Sequence, residues 1–182
     1  MKVQPTAIGG LWLIALDTSA DERGTFTRVF DRDTFAAHGL CTEFPQHGAA
    51  TNARRGIVRG LHYQTAPYAE HKVVRCVSGS VWDVVADLRR GSPTYGTWEA
   101  FTLDAARPAL LYLAAGLAHG YQVLSAGAEL HYLLSAPYAP EHAAGVHWRD
   151  PSLAIPWPLP DVLISARDES LPALPDAPDS AP

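Results

Sequence analysis

The stretch KVVRCV-SGS-VWDVVADL, residues 72–88, constrains the fold of this chain more than any other. Two segments rich in β-branched residues flank three turn residues with Gly79 at their centre. That pattern predicts strands over 72–77 and 81–88, joined as a hairpin. In the second segment Trp82, Val84, Ala86 and Leu88 share one parity, and Val81, Asp83, Val85 and Asp87 share the other. Side chains alternate along a strand, so one face is wholly apolar and the other mixed.

The same reading extends along the chain. Residues 97–104, 109–116 and 128–138 read as further strands, and 91–96 (GSPTYG) as a loop. Helical signal is weak. The best candidate is 31–40, with Asp31 or Asp33 as N-cap and Gly39 as its C-terminal stop. Many short strands with few helices predict an all-β barrel or sandwich. Residues 171–182 (LPALPDAPDSAP) have little to bury, so a single domain over 1–174 and a flexible Pro-rich tail over 175–182 are expected.

Composition narrows the function classes. At 182 residues, 47% apolar and 18% charged, the chain suits one globular domain with a sizeable core. A formal net charge of −5 argues against a nucleic-acid partner, which requires a basic face. It leaves room for a local basic pocket that takes a phosphorylated small molecule. Cys41 and Cys76 are too few for a disulfide framework, so a reducing, cytoplasmic setting is expected. No apolar run reaches the roughly 18 residues of a membrane helix, and Pro5 with Gly9–Gly10 interrupts the apolar stretch at the N-terminus.

RGLHYQ, residues 59–64, sets a histidine within strand-like sequence. Val58, Gly60, His62 and Gln64 share a parity and are expected to face a lumen together. A buried imidazole needs a partner, since an unpaired polar group costs a few kcal/mol. With eight histidines a metal site is one option, but no local spacing of ligands asks for it. The other is acid–base chemistry by a base, a group orienting it, and a separate acid. Asp83, Asp87, Asp150, Asp161 and Asp168 are candidate orienters, and Tyr132 and Tyr138 candidate acids. Spacing alone does not choose among them. By default His62 is a satisfied core histidine, Tyr132 a packing residue, Asp168 a solvated carboxylate and Lys72 an edge lysine. Arg54–Arg55 and Arg89–Arg90 read as solvated turn charges.

Seven blocks together resemble the dTDP-4-dehydrorhamnose 3,5-epimerase family: ERG (22–24), GIVRGLHYQ (56–64), KVVRCVSGSVWDVVADLRRGSPTYGTW (72–98), GLAHGYQVLS (116–125), YLLSAPYAPE (132–141), WRDPSLAIPWP (148–158) and ISARD (164–168). The resemblance implies a cupin-type jelly-roll barrel without metal or cofactor. It implies a homodimer built by exchange of N-terminal strands. The substrate would be a nucleoside-diphosphate 4-keto-6-deoxyhexose, inverted at C3, C5 or both through an enolate. His62 would be the base, Asp168 its orienter, Tyr132 the acid on the opposite face, and Lys72 the cation near the enolate oxygen. Arg59 and Arg23 would contact diphosphate or sugar, with Arg23 reaching the partner's site. His119 would contact the sugar, Tyr138 would stack on the base, and Phe26 would line the nucleotide pocket.

Two expectations follow from conflicts within this reading. Arg59 and His62 have opposite strand parity, so both can reach one substrate only if the backbone bulges at Gly60 or Arg59 curls round a barrel edge. The chain also departs from the family's pattern. Arg28 stands where members carry Glu, and His47 and Ala49 occupy the places of a Gln-x-Asn element, with Gln46 one residue away. These changes predict an altered nucleotide or sugar preference. A sugar 3,4-ketoisomerase and a non-catalytic sugar-binding cupin are the competing readings. Retention of Tyr132 argues against the first, and retention of His62, Asp168 and Tyr132 together argues against the second.

Overall fold

A computed structural model describes residues 1–174; the expected tail over 175–182 lies outside the described residues. Six strands form one antiparallel sheet, in the order β1 (Lys2–Pro5), β2 (Leu11–Ala15), β10 (Ala109–Leu113), β7 (Lys72–Ser78), β12 (Ala128–Leu134) and β5 (Gln46–Asn52). Five form a second, in the order β13 (Ala143–Gly145), β6 (Val58–Gln64), β11 (Leu117–Val123), β8 (Ser80–Asp87) and β9 (Trp98–Asp104). β3 (Thr18–Asp21) and β4 (Gly24–Thr27) make a separate two-stranded hairpin. The all-β jelly-roll expectation is met.

The two large sheets face each other across one core. Leu111, Leu113, Val74, Cys76 and Leu130 from the first meet Val81, Val85, Leu103, Tyr121 and Val123 from the second. Alternate residues of the same strands point outward. On the six-stranded sheet Ile14, Val73, Leu110 and Tyr112 pack beneath Phe35 and Leu40. On the five-stranded sheet Val84, Ala86 and Ala118 are covered by Val146, Leu153 and Ile155. The mixed face of β8 is therefore the one that lines the lumen, with Asp83 fully buried there.

The predicted hairpin at 78–80 does not form. β7 pairs with β10 and β12, whereas β8 pairs with β11 and β9 in the other sheet. Gly79 turns the chain from one sheet to the other. The polar groups of this corner are taken by neighbouring turns: Ala105 N–H donates to the Gly79 carbonyl, Leu124 N–H donates to the Ser80 carbonyl, and Ser80 N–H donates to Ser125 Oγ. Alternation reports the local backbone, and it is silent on which sheet a strand joins.

The helix is shorter than predicted, α1 (Arg32–Ala37). Asp31 rather than Asp33 caps it, accepting the Thr34 N–H at 2.9 Å. Its end is a Schellman arrangement. The Gly39 N–H donates to Ala36 O and the Leu40 N–H to Phe35 O, with Gly39 at φ +68°. The strand expected over 128–138 stops at Leu134. Arg89 is no solvated turn charge. It donates to both carboxylate oxygens of buried Asp87 and to the Gly9 carbonyl. Burial works against ionisation of Asp87, but hydrogen bonds from Arg89, Ser92 and Thr94 outweigh it and hold the carboxyl well below the usual range.

Candidate active site

His62 lies on β6, opposite His119 of β11. Three positions back, Arg59 lies opposite Tyr121, two positions on from His119, so Gly60 and Leu61 together face only Gly120. This is the bulge, one of the two resolutions the parity conflict allowed, and it puts Arg59 and His62 on one face. It also corrects the expected lumen set. Val58 pairs with Gln122 and falls on the opposite face from His62. Gly60 has φ +118°, and a Cβ there would lie 2.5 Å from the Gly120 Cα and 2.7 Å from the His119 carbonyl. Only glycine fits.

The bulge also frees a backbone donor. The Gly60 N–H donates to Asp168 Oδ2 at 3.2 Å, while Asp168 Oδ1 meets His62 Nε2 at 2.7 Å. Asp168 sits on the short helix α2 (Ala166–Glu169), whose N-cap Ser165 accepts the Asp168 N–H. Reciprocal backbone bonds bring this segment to the site: Val58 N–H to Leu163 O, and Leu163 N–H to Gly56 O. The carboxylate is buried, which disfavours its charge. The bond to His62 and the Gly60 N–H outweigh that and lower its pKa. With Nε2–H donating to Asp168, Nδ1 is the ring nitrogen left to take a proton.

His62 opens onto a cavity of about 250 Å³ that is also lined by Gln64, Glu70, Lys72, Tyr132, Tyr138 and Arg167. Lys72 begins β7 and pairs with the buried Glu70 at 3.1 Å. Gln64 Nε2 donates to the other Glu70 oxygen and to the Tyr68 and Pro137 carbonyls. Tyr132, on β12 of the facing sheet, is held strongly protonated. Burial is the main cause, with the Tyr121 hydroxyl and Asp83 adding to it. His119 Nε2 meets Asp83 Oδ2 at 2.8 Å, and its ring contacts Tyr132 edge-on at 6.1 Å. Burial raises the Asp83 carboxyl against the pull of His119, and among the described residues its Oδ1 has no hydrogen-bond donor. A larger groove of about 460 Å³, on the outer face of the six-stranded sheet, is lined by Phe30, Phe44, His47, Arg75 and Leu133 and contains neither His62 nor Asp168.

The remaining predicted residues divide. Arg59 donates to Asn52 Oδ1 and the Thr51 carbonyl. Tyr138 is 56% exposed at the cavity rim, where its N–H donates to Gln46 Oε1 and Arg167 donates to its hydroxyl. Arg23 and Phe26 do not join the site within this chain. They sit on the exposed β3–β4 hairpin, Arg23 tied to Asp21 and Phe26 65% exposed. Arg28 is exposed and lies 3.9 Å from Asp31, and His47 and Ala49 are exposed on the edge strand β5. Of the five candidate aspartates, Asp168 meets His62, Asp83 meets His119 and Asp87 meets Arg89. Asp150 accepts backbone N–H groups of Ser152, Leu153 and Leu174, and Asp161 is exposed. Sequence reasoning missed Glu70, Asn52 and Tyr121, each unremarkable until the sheets bring it to a partner.

Comparison with known proteins bears directly on this arrangement. The family model described as dTDP-4-dehydrorhamnose 3,5-epimerase matches residues 5–176. A dTDP-4-dehydrorhamnose 3-epimerase of Streptomyces niveus is 42% identical, covering 99% of this chain and 87% of the relative. A dTDP-4-dehydrorhamnose 3,5-epimerase of Pseudomonas aeruginosa is 41% identical, covering 97% and 98%. The crystal structure of a 3′-monoepimerase from Streptomyces bikiniensis in complex with dTDP-quinovose superposes with a TM-score of 0.89 at 39% identity, covering 94% of this chain and 87% of that one.

Proposed function

This chain belongs to the dTDP-4-dehydrorhamnose 3,5-epimerase family, and on that premise we propose that it inverts C3, or C3 and C5, of a nucleoside-diphosphate 4-keto-6-deoxyhexose, with His62 as base and Tyr132 as acid. The observation that carries this reading is that His62, on one sheet and paired with the buried Asp168 carboxylate of α2, lies across a single cavity from the protonated Tyr132 on the other sheet. The C4 ketone acidifies the hydrogen on an adjacent carbon. His62 Nδ1 takes that proton and the C–H electron pair moves into an enolate. Asp168 stabilises the imidazolium that forms. The Lys72 ammonium lies against the developing enolate oxygen, and stabilising such charge is usually the largest catalytic contribution. Tyr132 then breaks its O–H bond to protonate the carbon from the opposite face. Solvent removes the proton from His62 and restores the one on Tyr132.

Arg59, His119 and Tyr138 are taken as substrate contacts at the diphosphate, sugar and base. Arg23 and Phe26 are assigned to the site of a second copy, in a homodimer that exchanges N-terminal strands. Exposure of their hairpin, which pairs only with itself among the described residues, supports that assignment. The reading takes residues 1–174 as one catalytic domain. Among the described residues no helix is long and apolar enough to cross a membrane. The free thiols of Cys41 and Cys76 support a cytoplasmic setting.

The test is proton NMR of the enzyme with dTDP-4-keto-6-deoxyglucose in deuterated water. Loss of the C3 signal with formation of the C3-inverted sugar identifies a 3-epimerase, and loss of both C3 and C5 signals with inversion at both a 3,5-epimerase. Retention of both signals with this and other nucleotide forms of the sugar overturns the proposal.

A further inference from the structure

Three successive residues of α2 reach three different partners. Arg167 Nη1 donates to the Tyr138 hydroxyl at the cavity rim, Asp168 joins Gly60 and His62, and Glu169 Oε2 accepts the indole N–H of Trp148 at 3.1 Å. Trp148 is 3% exposed, and a buried donor that loses its acceptor is costly. Trp148 is itself tied to the strand that carries His62. Two residues before it, Val146 exchanges both backbone hydrogen bonds with Leu61 of β6, at 3.1 and 3.2 Å. The Trp148 carbonyl accepts the Trp157 indole N–H at 2.8 Å. The chain beyond α2 returns to the same segment: His147 N–H donates to the Pro172 carbonyl, and Leu174 N–H donates to Asp150 Oδ2, each at 2.7 Å. These contacts close a ring. It runs from Leu61 through Val146 and Trp148 to Glu169, then through Asp168 to Gly60 and His62, the two neighbours of Leu61.

We propose that Glu169 is a positioning residue for Asp168, a latch on Trp148 that holds the α2 carboxylate against the base. This rests on the assignment of His62 as the base and Asp168 as its orienter. α2 is a single turn, and a helix that short has no stability of its own. Its orientation is set by what it is tied to. On the N-terminal side the backbone bonds of Leu163 to Gly56 and Val58 fix where the segment enters. On the C-terminal side the side chain nearest Asp168 is Glu169, and its partner is anchored to β6 itself. The latch therefore refers the carboxylate to the same strand that bears the imidazole. The Asp168–His62 contact at 2.7 Å has the length of a charge-assisted bond, and such a bond weakens steeply as its angle opens. With the latch open the turn swivels about its backbone tethers, Asp168 spends less time on His62 Nε2, and the imidazolium formed during proton abstraction is less stabilised.

The test compares Glu169→Ala, Glu169→Gln, Asp168→Asn and the double variant Glu169→Ala with Asp168→Asn. Glu169 is exposed, and the bonds at Pro172 and Leu174 do not involve its side chain, so all are expected to fold, with circular dichroism as the check. The rate read is deuterium entry at C3 of dTDP-4-keto-6-deoxyglucose. Glu169→Ala is expected to lower kcat for exchange about 5- to 30-fold, with KM within about threefold of wild type. Glu169→Gln, whose amide oxygen still accepts the indole N–H, is expected to restore the rate to within about threefold. In the Asp168→Asn background Glu169→Ala is expected to cost less than about twofold, because the carboxylate it positions is already gone. A general loosening of the fold would cost the same in both backgrounds. Glu169→Ala at the wild-type rate, Glu169→Gln as slow as Glu169→Ala, or equal losses in the two backgrounds each overturn the inference and leave His62 and Asp168 in their roles. Asp168→Asn at the wild-type rate removes the orienter assignment and takes the inference with it.

Discussion

Replacing Asp168 by Asn alters a single atom type in a contact whose geometry is fixed on both sides. The Asp168 carboxylate accepts the Gly60 N–H with one oxygen and meets His62 Nε2 with the other. In Asp168→Asn the amide oxygen must stay on the Gly60 N–H, because two donors cannot face each other. The NH2 group then points at His62 Nε2, which becomes an acceptor, and the imidazole proton moves to Nδ1. The nitrogen that the proposed mechanism requires to take the substrate proton is then already protonated. The charge is lost as well. For charges about 4 Å apart near a protein surface the attraction is roughly 4 kcal/mol. His62 is 36% exposed, so solvent screens part of this, and about 2–4 kcal/mol of imidazolium stabilisation is the reasonable range. That corresponds to a loss of about 30- to 1000-fold in exchange rate, and the tautomer change adds to it. The assay is the initial rate of deuterium entry at C3, with circular dichroism to confirm the fold. An Asp168→Asn enzyme within threefold of wild type refutes the argument, since neither tautomer nor charge would then matter.

Three further outcomes are expected. Gly60→Ala places a Cβ against the backbone of β11 and demands a φ that alanine avoids; a cost of about 3 kcal/mol lowers Tm by about 6–12 °C, and exchange fails because the anchor of Asp168 moves. Asp87 has a folded pKa below its unfolded value of about 3.9, so its contribution is present above that value and fades as pH falls through the folded one. Thermal melts should therefore show Asp87→Asn less stable than wild type by about 3 kcal/mol at pH 7, with the gap narrowing below about pH 4. Calorimetry with nucleoside diphosphates should show thymidine diphosphate binding less than about tenfold more tightly than uridine diphosphate, given Arg28, His47 and Ala49; a hundredfold preference for thymidine removes that inference.

Much of this was legible before any coordinates, for identifiable reasons. Alternation in 81–88 and the strand-like run 97–104 report a local backbone state, so strands appear there to within a residue, at Ser80–Asp87 and Trp98–Asp104. Asp31 and Gly39 mark helix ends by chemistry confined to a few residues. The bulge at Gly60 was legible as a contradiction, because two residues assigned to one substrate had opposite parity. What failed was long-range. His62 and Asp168 are 106 residues apart, and spacing held no reason to prefer Asp168 over four other aspartates; the resemblance made that choice. The hairpin failed because two alternating runs and a glycine turn look the same whether the chain folds back within a sheet or passes to the next. Tyr121 and Asn52 gave no signal, since their meaning lies in partners that only the closed barrel supplies.

The corner at Gly79, where consecutive strands part company into different sheets, has a stereochemical consequence. Inverting a carbon requires something to leave from one side and something to arrive from the other. A barrel whose chain alternates between two plates supplies two walls by construction, with His62 on one and Tyr132 on the other. The gap between them is set by the Leu, Val and Tyr side chains packed behind the cavity. Those core residues act as a calliper: with His62 and Tyr132 in their proposed roles, trimming one is expected to alter the separation of base and acid, and with it the share of inverted product, without touching the substrate.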